Sequence, residues 1–233
     1  MIFATLSYAN AEDKIHNHGK DHDQIFHAFT LELNAGKANN GKSKNFDFSG
    51  WIGGDYNRLW INSDKKKYGN FEEKLEIQAL YSRNISQFWD SQIGISHDFS
   101  SDYSKKRVNH FTLGFEGLAP QMFETRGHIL LSEKGNLSLR LKQEIDIFLT
   151  QRLIAQPFIE TEIFAQEVKE LEIGSGISSF EIGINTRYEI SRKFAPYLGL
   201  LYHAKTFSTA NLAKKKQEKV NDFILLAGLR IRF

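Results

Sequence analysis

Histidines and carboxylates concentrate near the start of the chain, at spacings that could bind a metal ion. Four of the eight histidines fall within twelve residues. Neutral imidazole suits copper, zinc or nickel, and neighbouring carboxylates can complete a ligand set. The alternative is a polar tail whose histidines have no metal role. The candidate ligands are His16, His18, Asp21, His22, Asp23 and His27.

From Phe26 onward, apolar and polar residues alternate along the chain. This part of the chain must position any further site. In residues 137–149, leucine and isoleucine occupy odd positions, while the charged side chains occupy even positions. A period of two places each set on one face of a β-strand, whereas in a helix the charges would cover every face. Twelve strands are predicted, at 25–36, 45–53, 58–63, 71–83, 87–100, 106–118, 122–132, 137–149, 153–167, 177–190, 194–207 and 221–233.

These strands are too long for an ordinary soluble sandwich, because many span about 10 to 14 residues against a usual length of about 5 to 6. Tight turns alternate with polar connections that are mostly longer. The longer connections are predicted at 37–44, 64–70, 101–105, 168–176 and 208–220, with 133–136 as the exception. Together with the terminal Phe233, this pattern predicts an all-β fold. We expect a transmembrane antiparallel up-and-down β-barrel of about twelve strands, with short periplasmic turns and longer extracellular loops.

The two faces of the predicted strands differ in charge. A soluble barrel would point its apolar face inward, but strand length and loop asymmetry favour the membrane form, whose charged face lines the lumen. Carboxylates outnumber basic residues on that face, which favours cations. The alternative is that these charges only pair with one another inside the barrel. The lumen candidates are Asp90, His110, Glu124, His128, Glu160, Glu162, Glu181 and His203.

Composition excludes several classes of protein. Lys+Arg is 30 and Asp+Glu is 28, and the net charge of +2 argues against a nucleic-acid binder. The chain contains no Cys, which excludes disulfides and thiolate metal ligands. No apolar run approaches the roughly 18 residues of a membrane-spanning helix. A lipid hydrolase is not expected because the Gly-x-Ser-x-Gly motif is absent, so the chain is interpreted as a non-enzyme.

Three segments are predicted along the chain. Residues 1–11 are signal-peptide-like, since Ala9-Asn10-Ala11 fits a cleavage site; an ordinary apolar N-terminus is the alternative. Residues 12–24 are expected to form a flexible histidine-rich leader in the periplasm. Residues 25–233 are expected to form the outer-membrane barrel.

Short motifs spread along the predicted barrel make the sequence recognisable. They are Phe26–Glu32, Gly50–Asp55, Asn57–Trp60, Ala79–Arg83, Phe88–Asp90, Gly117–Pro120, Thr150–Leu153, Gly174–Gly176, Arg187–Ile190 and Phe194–Tyr197. With these motifs in this order, the chain resembles the copper resistance protein B family of bacterial outer-membrane proteins.

The resemblance implies a twelve-stranded outer-membrane barrel that binds copper and serves copper resistance. Family members usually carry a leader rich in Met and His. This leader keeps the histidines but has no Met after Met1, which favours Cu(II) over Cu(I) or leaves room for another divalent ion. The expected partners are outer-membrane lipids and lipopolysaccharide, with a periplasmic copper oxidase or copper carrier as the candidate protein partner. The alternative function is a narrow general channel or a structural barrel without a specific metal role.

Overall fold

The computed structural model describes residues 24–39, 41–69, 71, 73–100 and 107–233. Nearly all of them belong to one antiparallel sheet, which closes on itself because the first strand pairs with the last. The strands are β1 (Phe26–Ala38), β2 (Gly41–Gly53), β3 (Asn57–Lys66), β4 (Lys74–Ser86), β5 (Trp89–Ser100), β6 (Val108–Ala119), β7 (Phe123–Ser132), β8 (Leu137–Glu144), β9 (Ile147–Phe148), β10 (Leu153–Phe164), β11 (Gly176–Tyr188), β12 (Phe194–Lys205) and β13 (Asn221–Arg232).

The short strand β9 continues β8, because both pair with β10. The interruption lies opposite Pro157. The amide of Ile145 donates to the carbonyl of Pro157 at 3.2 Å, but proline has no N–H to donate in return. The thirteen segments therefore make twelve crossings, and the predicted twelve-stranded barrel is confirmed.

The two ends of the barrel differ in their connections. The end at which β1 begins and β13 finishes is here called the turn end, and its turns lie at 54–56, 87–88, 120–122, 149–152 and 189–193. The opposite end, here called the loop end, has connections at 39–40, 67–73, 101–107, 133–136, 165–175 and 206–220. Long loops at one end only are typical of outer-membrane barrels, in which that end faces the exterior.

Two of the predicted connections are wrong in detail. Residues 37–44 form a tight hairpin, in which Lys37 pairs with Lys42 and Gly41 has a φ of 134°. Backbone pairing continues there although the side chains no longer alternate in polarity. The long loop predicted at 208–220 contains a helix, α1 (Phe207–Lys215), which buries Thr209 and Ala213 four residues apart on one face. Within the described residues, no helix has the length and apolar character needed to span a membrane.

The distribution of side chains is the reverse of that in a soluble protein. Large apolar residues such as Ile95, Ile182 and Leu225 face outward and are 66%, 49% and 60% exposed. Polar residues such as Gln92 and Asp222 face inward and are buried. This arrangement confirms the predicted assignment of the apolar face to lipid and the charged face to the lumen.

Candidate functional site

A cavity of about 280 Å³ lies inside the loop-end half of the barrel. Its wall contains nine carboxylates but only four basic side chains, together with two histidines. The carboxylates are Asp64, Glu73, Glu76, Asp98, Glu160, Glu162, Glu172, Glu181 and Glu218. The basic residues are Lys66, Lys74, Arg140 and Lys205, and the histidines are His110 and His203. The surplus of carboxylates gives the cavity a negative potential that attracts cations.

The basic residues of the cavity are all paired, and three of them bridge more than one carboxylate. Lys66 Nζ lies 2.8 Å from Glu160 and 3.4 Å from Glu181. Arg140 contacts Glu76, and its second terminal nitrogen lies 3.0 Å from Glu162. Such shared pairs hold the carboxylates close together without neutralising all of them.

Two aromatic residues from the loop between β3 and β4, Tyr68 and Phe71, line the cavity beside His203. The edge of the Phe71 ring packs against His203 with the ring centroids 4.8 Å apart. The buried Tyr68 hydroxyl donates to Glu181 at 3.4 Å. Burial, reinforced by the Glu181 carboxylate, raises the pKa of the Tyr68 phenol well above its usual value, so the hydroxyl stays protonated and remains a donor.

Histidine and carboxylate side chains lie in two parts of this wall. His203 Nδ1 lies 3.2 Å from a Glu181 oxygen. On the neighbouring strands β5 and β6, Asp98 and His110 each bury one polar atom, Oδ1 and Nδ1, without a hydrogen-bond partner among the described residues. Imidazole and carboxylate are ligands for Cu(II) and similar ions. Within the described part of the chain, however, no group of three or more His, Cys, Asp or Glu side chains is arranged to hold a metal ion.

The turn-end half of the lumen is filled by arginine–carboxylate pairs. Arg230 Nε lies 2.5 Å from Glu32, and Arg58 lies 3.1 Å from Asp90. The guanidinium of Arg187, which is only 3% exposed, contacts Asp146. A second cavity at this end has a volume of only about 40 Å³. The paired arginines join adjacent strands or strands one apart in the sheet, and they leave little free volume.

The predicted lumen residues all face the interior, but they divide between the two halves. The loop-end cavity brings together His110, Glu160, Glu162, Glu181 and His203. The other three are apart from it. Asp90 accepts from Arg58, Glu124 lines the small turn-end cavity, and buried His128 lies 2.9 Å from Gln92 Oε1.

The predicted leader ligands His16, His18, Asp21, His22 and Asp23 lie outside the described residues. His27 is exposed on β1, with its ring centroid 5.8 Å from that of Phe29. Its position in the strand alternation places it on the outward face, away from the lumen.

Arg126, which lies between Glu124 and His128 on β7, is neutralised by Glu116 at 3.0 Å. Glu116 lies directly across from Arg126 on the adjacent strand β6, whereas Glu160 and Glu162 are held by other cations.

The sequence analysis missed the two aromatic residues of the cavity wall, Tyr68 and Phe71. The only signal was the presence of two aromatic side chains in an otherwise polar connection.

Comparison with known families gives a match over the whole barrel. The family model described as "Copper resistance protein B precursor" matches residues 25–233. "Copper resistance protein B" of Escherichia coli is 33% identical over 214 residues, which are 91% of this chain and 71% of that protein. "Copper resistance protein B homolog" of Pseudomonas syringae pv. tomato is 31% identical over 220 residues, or 94% of this chain and 74% of that protein.

Solved structures with a similar fold are outer-membrane barrels. The NanC porin aligns with a TM-score of 0.58 at 9% identity and covers 86% of this chain and 98% of its own. The KdgM porin gives 0.54 at 11% identity, covering 88% and 99%. The outer membrane phospholipase A of Escherichia coli gives 0.52 at 13% identity, covering 87% and 89%. At these identities the likeness concerns the fold alone.

Proposed function

This chain belongs to the copper resistance protein B family and is an outer-membrane β-barrel, and on that premise we propose that it binds copper ions as cargo. Its leader captures them in the periplasm, and the loop-end cavity holds them or passes them on. The proposed role is non-enzymatic, because copper is bound and released without covalent chemistry.

The observation that carries the proposal is the composition of the loop-end cavity. Nine carboxylates and two histidines face four basic side chains in about 280 Å³. A water-accessible wall with this balance concentrates cations. The imidazole and carboxylate donors suit Cu(II) better than Cu(I), because the soft thioether ligands preferred by Cu(I) are missing from the wall.

We assign weak binding to the lumen and tighter binding to the leader. Passage through a pore requires sites that release an ion as readily as they accept it. The contact between His203 and Glu181 fits such a weak site, and so do the unpartnered Nδ1 of His110 and Oδ1 of Asp98 among the described residues. High-affinity capture is assigned to the leader, where His16, His18 and His22 can supply three imidazoles to one ion.

Contacts with the lipids of the outer membrane follow from the fold. We propose lipopolysaccharide among those lipids, and a periplasmic copper oxidase or copper carrier as the protein that exchanges copper with the leader.

Copper titration of the full chain in detergent tests the capture step. The His16→Ala/His18→Ala/His22→Ala variant should lose most high-affinity copper binding while the barrel still assembles, and deletion of residues 12–24 should have the same effect. His97→Ala, at an outward-facing position, serves as the control. In the unmodified chain, affinity should fall as the pH drops through about 6.5, because protonated imidazole cannot bind metal. Unchanged affinity and stoichiometry in the triple variant would move the capture site into the barrel.

Copper flux into liposomes tests the passage step. Glu124 and His128 face the lumen on the same strand, about 13 Å apart at roughly 3.3 Å per residue, and are proposed as successive positions on the route. Glu124→Gln and His128→Ala, singly and together, should slow copper flux. Wild-type flux in every variant would show that both residues only pack the interior of the barrel.

A further inference from the structure

We propose that three lysines on the outer face of the barrel, Lys37, Lys42 and Lys44, bind the phosphate groups of lipid A in the outer leaflet. This site lies outside the lumen and needs no copper. The lysine site depends only on the barrel and its orientation in the membrane. A result that contradicts the lysine site would therefore leave the copper proposal intact, and the reverse is also true.

The hairpin between β1 and β2 places the three lysines together. Lys37 lies directly opposite Lys42, and Lys44 lies opposite Ala35. All three side chains are exposed, whereas Ala38 and Ser43, which point the other way, are each 1% exposed. The lysines therefore project outward from the loop end of the barrel.

Electrostatics make this arrangement unfavourable without an anion. Like charges placed directly opposite each other on neighbouring strands repel. Among the described residues, no carboxylate forms an ion pair with any of the three lysines. The neighbouring outward lysine on β3, Lys65, differs because Glu73 lies 2.6 Å from its Nζ. An external phosphate would provide the missing counter-charge.

The surroundings of the lysines fit a lipid better than a free anion. Leu225, which is 60% exposed, is the cross-strand neighbour of Lys37. Leu33, which is 44% exposed, lies four residues before Lys37 on the same face of β1. Lysine stems can lie along such apolar surface while the ammonium groups reach the polar boundary. A phosphorylated lipid can thus contact the leucines with its chains and the lysines with its headgroup.

Another sector of the same rim, formed by β5, β6 and the β7–β8 connection, shows a different pattern. There, outward polar side chains contact one another: Asn109 contacts His97 at 2.5 Å and Glu133 at 2.7 Å. These outward polar groups therefore have partners, whereas within the described part of the chain the three lysines of the β1–β2 hairpin pair with no carboxylate.

The test is lipid binding to the full chain in detergent, measured by native mass spectrometry with bisphosphorylated and dephosphorylated lipid A. Each lysine near an anionic membrane surface contributes roughly a fivefold factor. The Lys37→Gln/Lys42→Gln/Lys44→Gln variant should therefore bind bisphosphorylated lipid A at least about tenfold more weakly. Arg152→Gln/Arg192→Gln/Lys193→Gln removes the same charge at the turn end and should bind like wild type. An excess of inorganic phosphate should not displace the lipid.

Three outcomes would overturn the proposal. They are equal binding of phosphorylated and dephosphorylated lipid A, equal losses in the two triple variants, and full displacement by inorganic phosphate. A heat-dependent shift in gel mobility, compared among all three proteins, shows that each barrel has folded.

Discussion

The loop-end and turn-end halves of the lumen both contain many charged side chains, but they balance them differently. At the turn end, Arg58, Arg187 and Arg230 each contact a carboxylate, and the free volume is about 40 Å³. At the loop end, carboxylates exceed basic residues in a cavity of about 280 Å³. Paired charges that fill the lumen hold strands together. A surplus of carboxylates beside free volume can bind a cation. The first half is therefore structural and the second is the candidate for cation binding.

The largest expected effect comes from breaking a pair in the structural half. Arg187→Gln leaves Asp146 buried without its cation, and the loss of one partner of a buried pair costs about 3 kcal/mol. Lys205→Gln at the loop end breaks a more exposed pair with Glu218 and should cost less than about 1 kcal/mol. Equilibrium unfolding in urea with lipid vesicles measures both. Equal losses of stability would mean that the two halves do not differ in this way.

A smaller effect is expected when an aromatic side chain of the cavity wall is removed. Phe71→Ala deletes the ring that packs on His203 and should raise the single-channel conductance of small cations by roughly twofold or more, since less side-chain volume then occupies the cavity. Planar-bilayer recording checks this. Phe148→Ala, an exposed position at the turn end, is the control, and a similar change in both variants would remove Phe71 from the pathway.

The smallest effect is a pH dependence at the rim of the loop end. The hydrogen bond from Lys65 holds the pKa of Glu73 below its ordinary value of 4.5. A carboxyl whose pKa is lower in the folded state stabilises the fold above its unfolded pKa, and this contribution is lost as the pH falls through the folded value. Because both side chains are partly exposed, the contribution should be below about 0.5 kcal/mol.

Carbon-13 NMR titration of the Glu73 carboxyl measures this directly, with Lys65→Gln as the comparison. The titration midpoint should rise toward 4.5 in the variant. A midpoint that is the same in both proteins would contradict the role of Lys65.

The strands could be predicted because the alternation of apolar and polar side chains is visible directly in the sequence. The predicted strand at 137–149 corresponds to β8 and β9, and only the break opposite Pro157 was missed, since it depends on a residue of another strand. The hairpin at 37–44 was missed for a related reason. Its residues do not alternate between apolar and polar types, so the sequence gives no sign of the backbone pairing that extends β1 and β2.

The charge partners in the lumen could not be predicted, because they depend on registers between strands that are distant in sequence. Arg140 and Glu76 are 64 positions apart, and Lys66 and Glu181 are 115 positions apart. The inward direction of these side chains follows from alternation, but which of them meet depends on how the barrel closes. For the same reason, the sequence could predict which carboxylates face the lumen, but it could not predict that the lumen divides into a loop-end and a turn-end half.

Equilibrium Cu(II) binding, followed by electron paramagnetic resonance, tests the central distinction most directly. The full chain carrying His16→Ala, His18→Ala and His22→Ala removes the leader ligands and exposes binding in the lumen. Adding Glu160→Gln and Glu162→Gln should weaken the remaining Cu(II) binding by about tenfold, as expected when carboxylates that concentrate cations are neutralised. Adding Glu116→Gln and Glu144→Gln, the matched change at the turn end, should alter it by less than about twofold. Equal weakening by the two pairs, or none by either, would contradict the assignment of cation binding to the loop-end half.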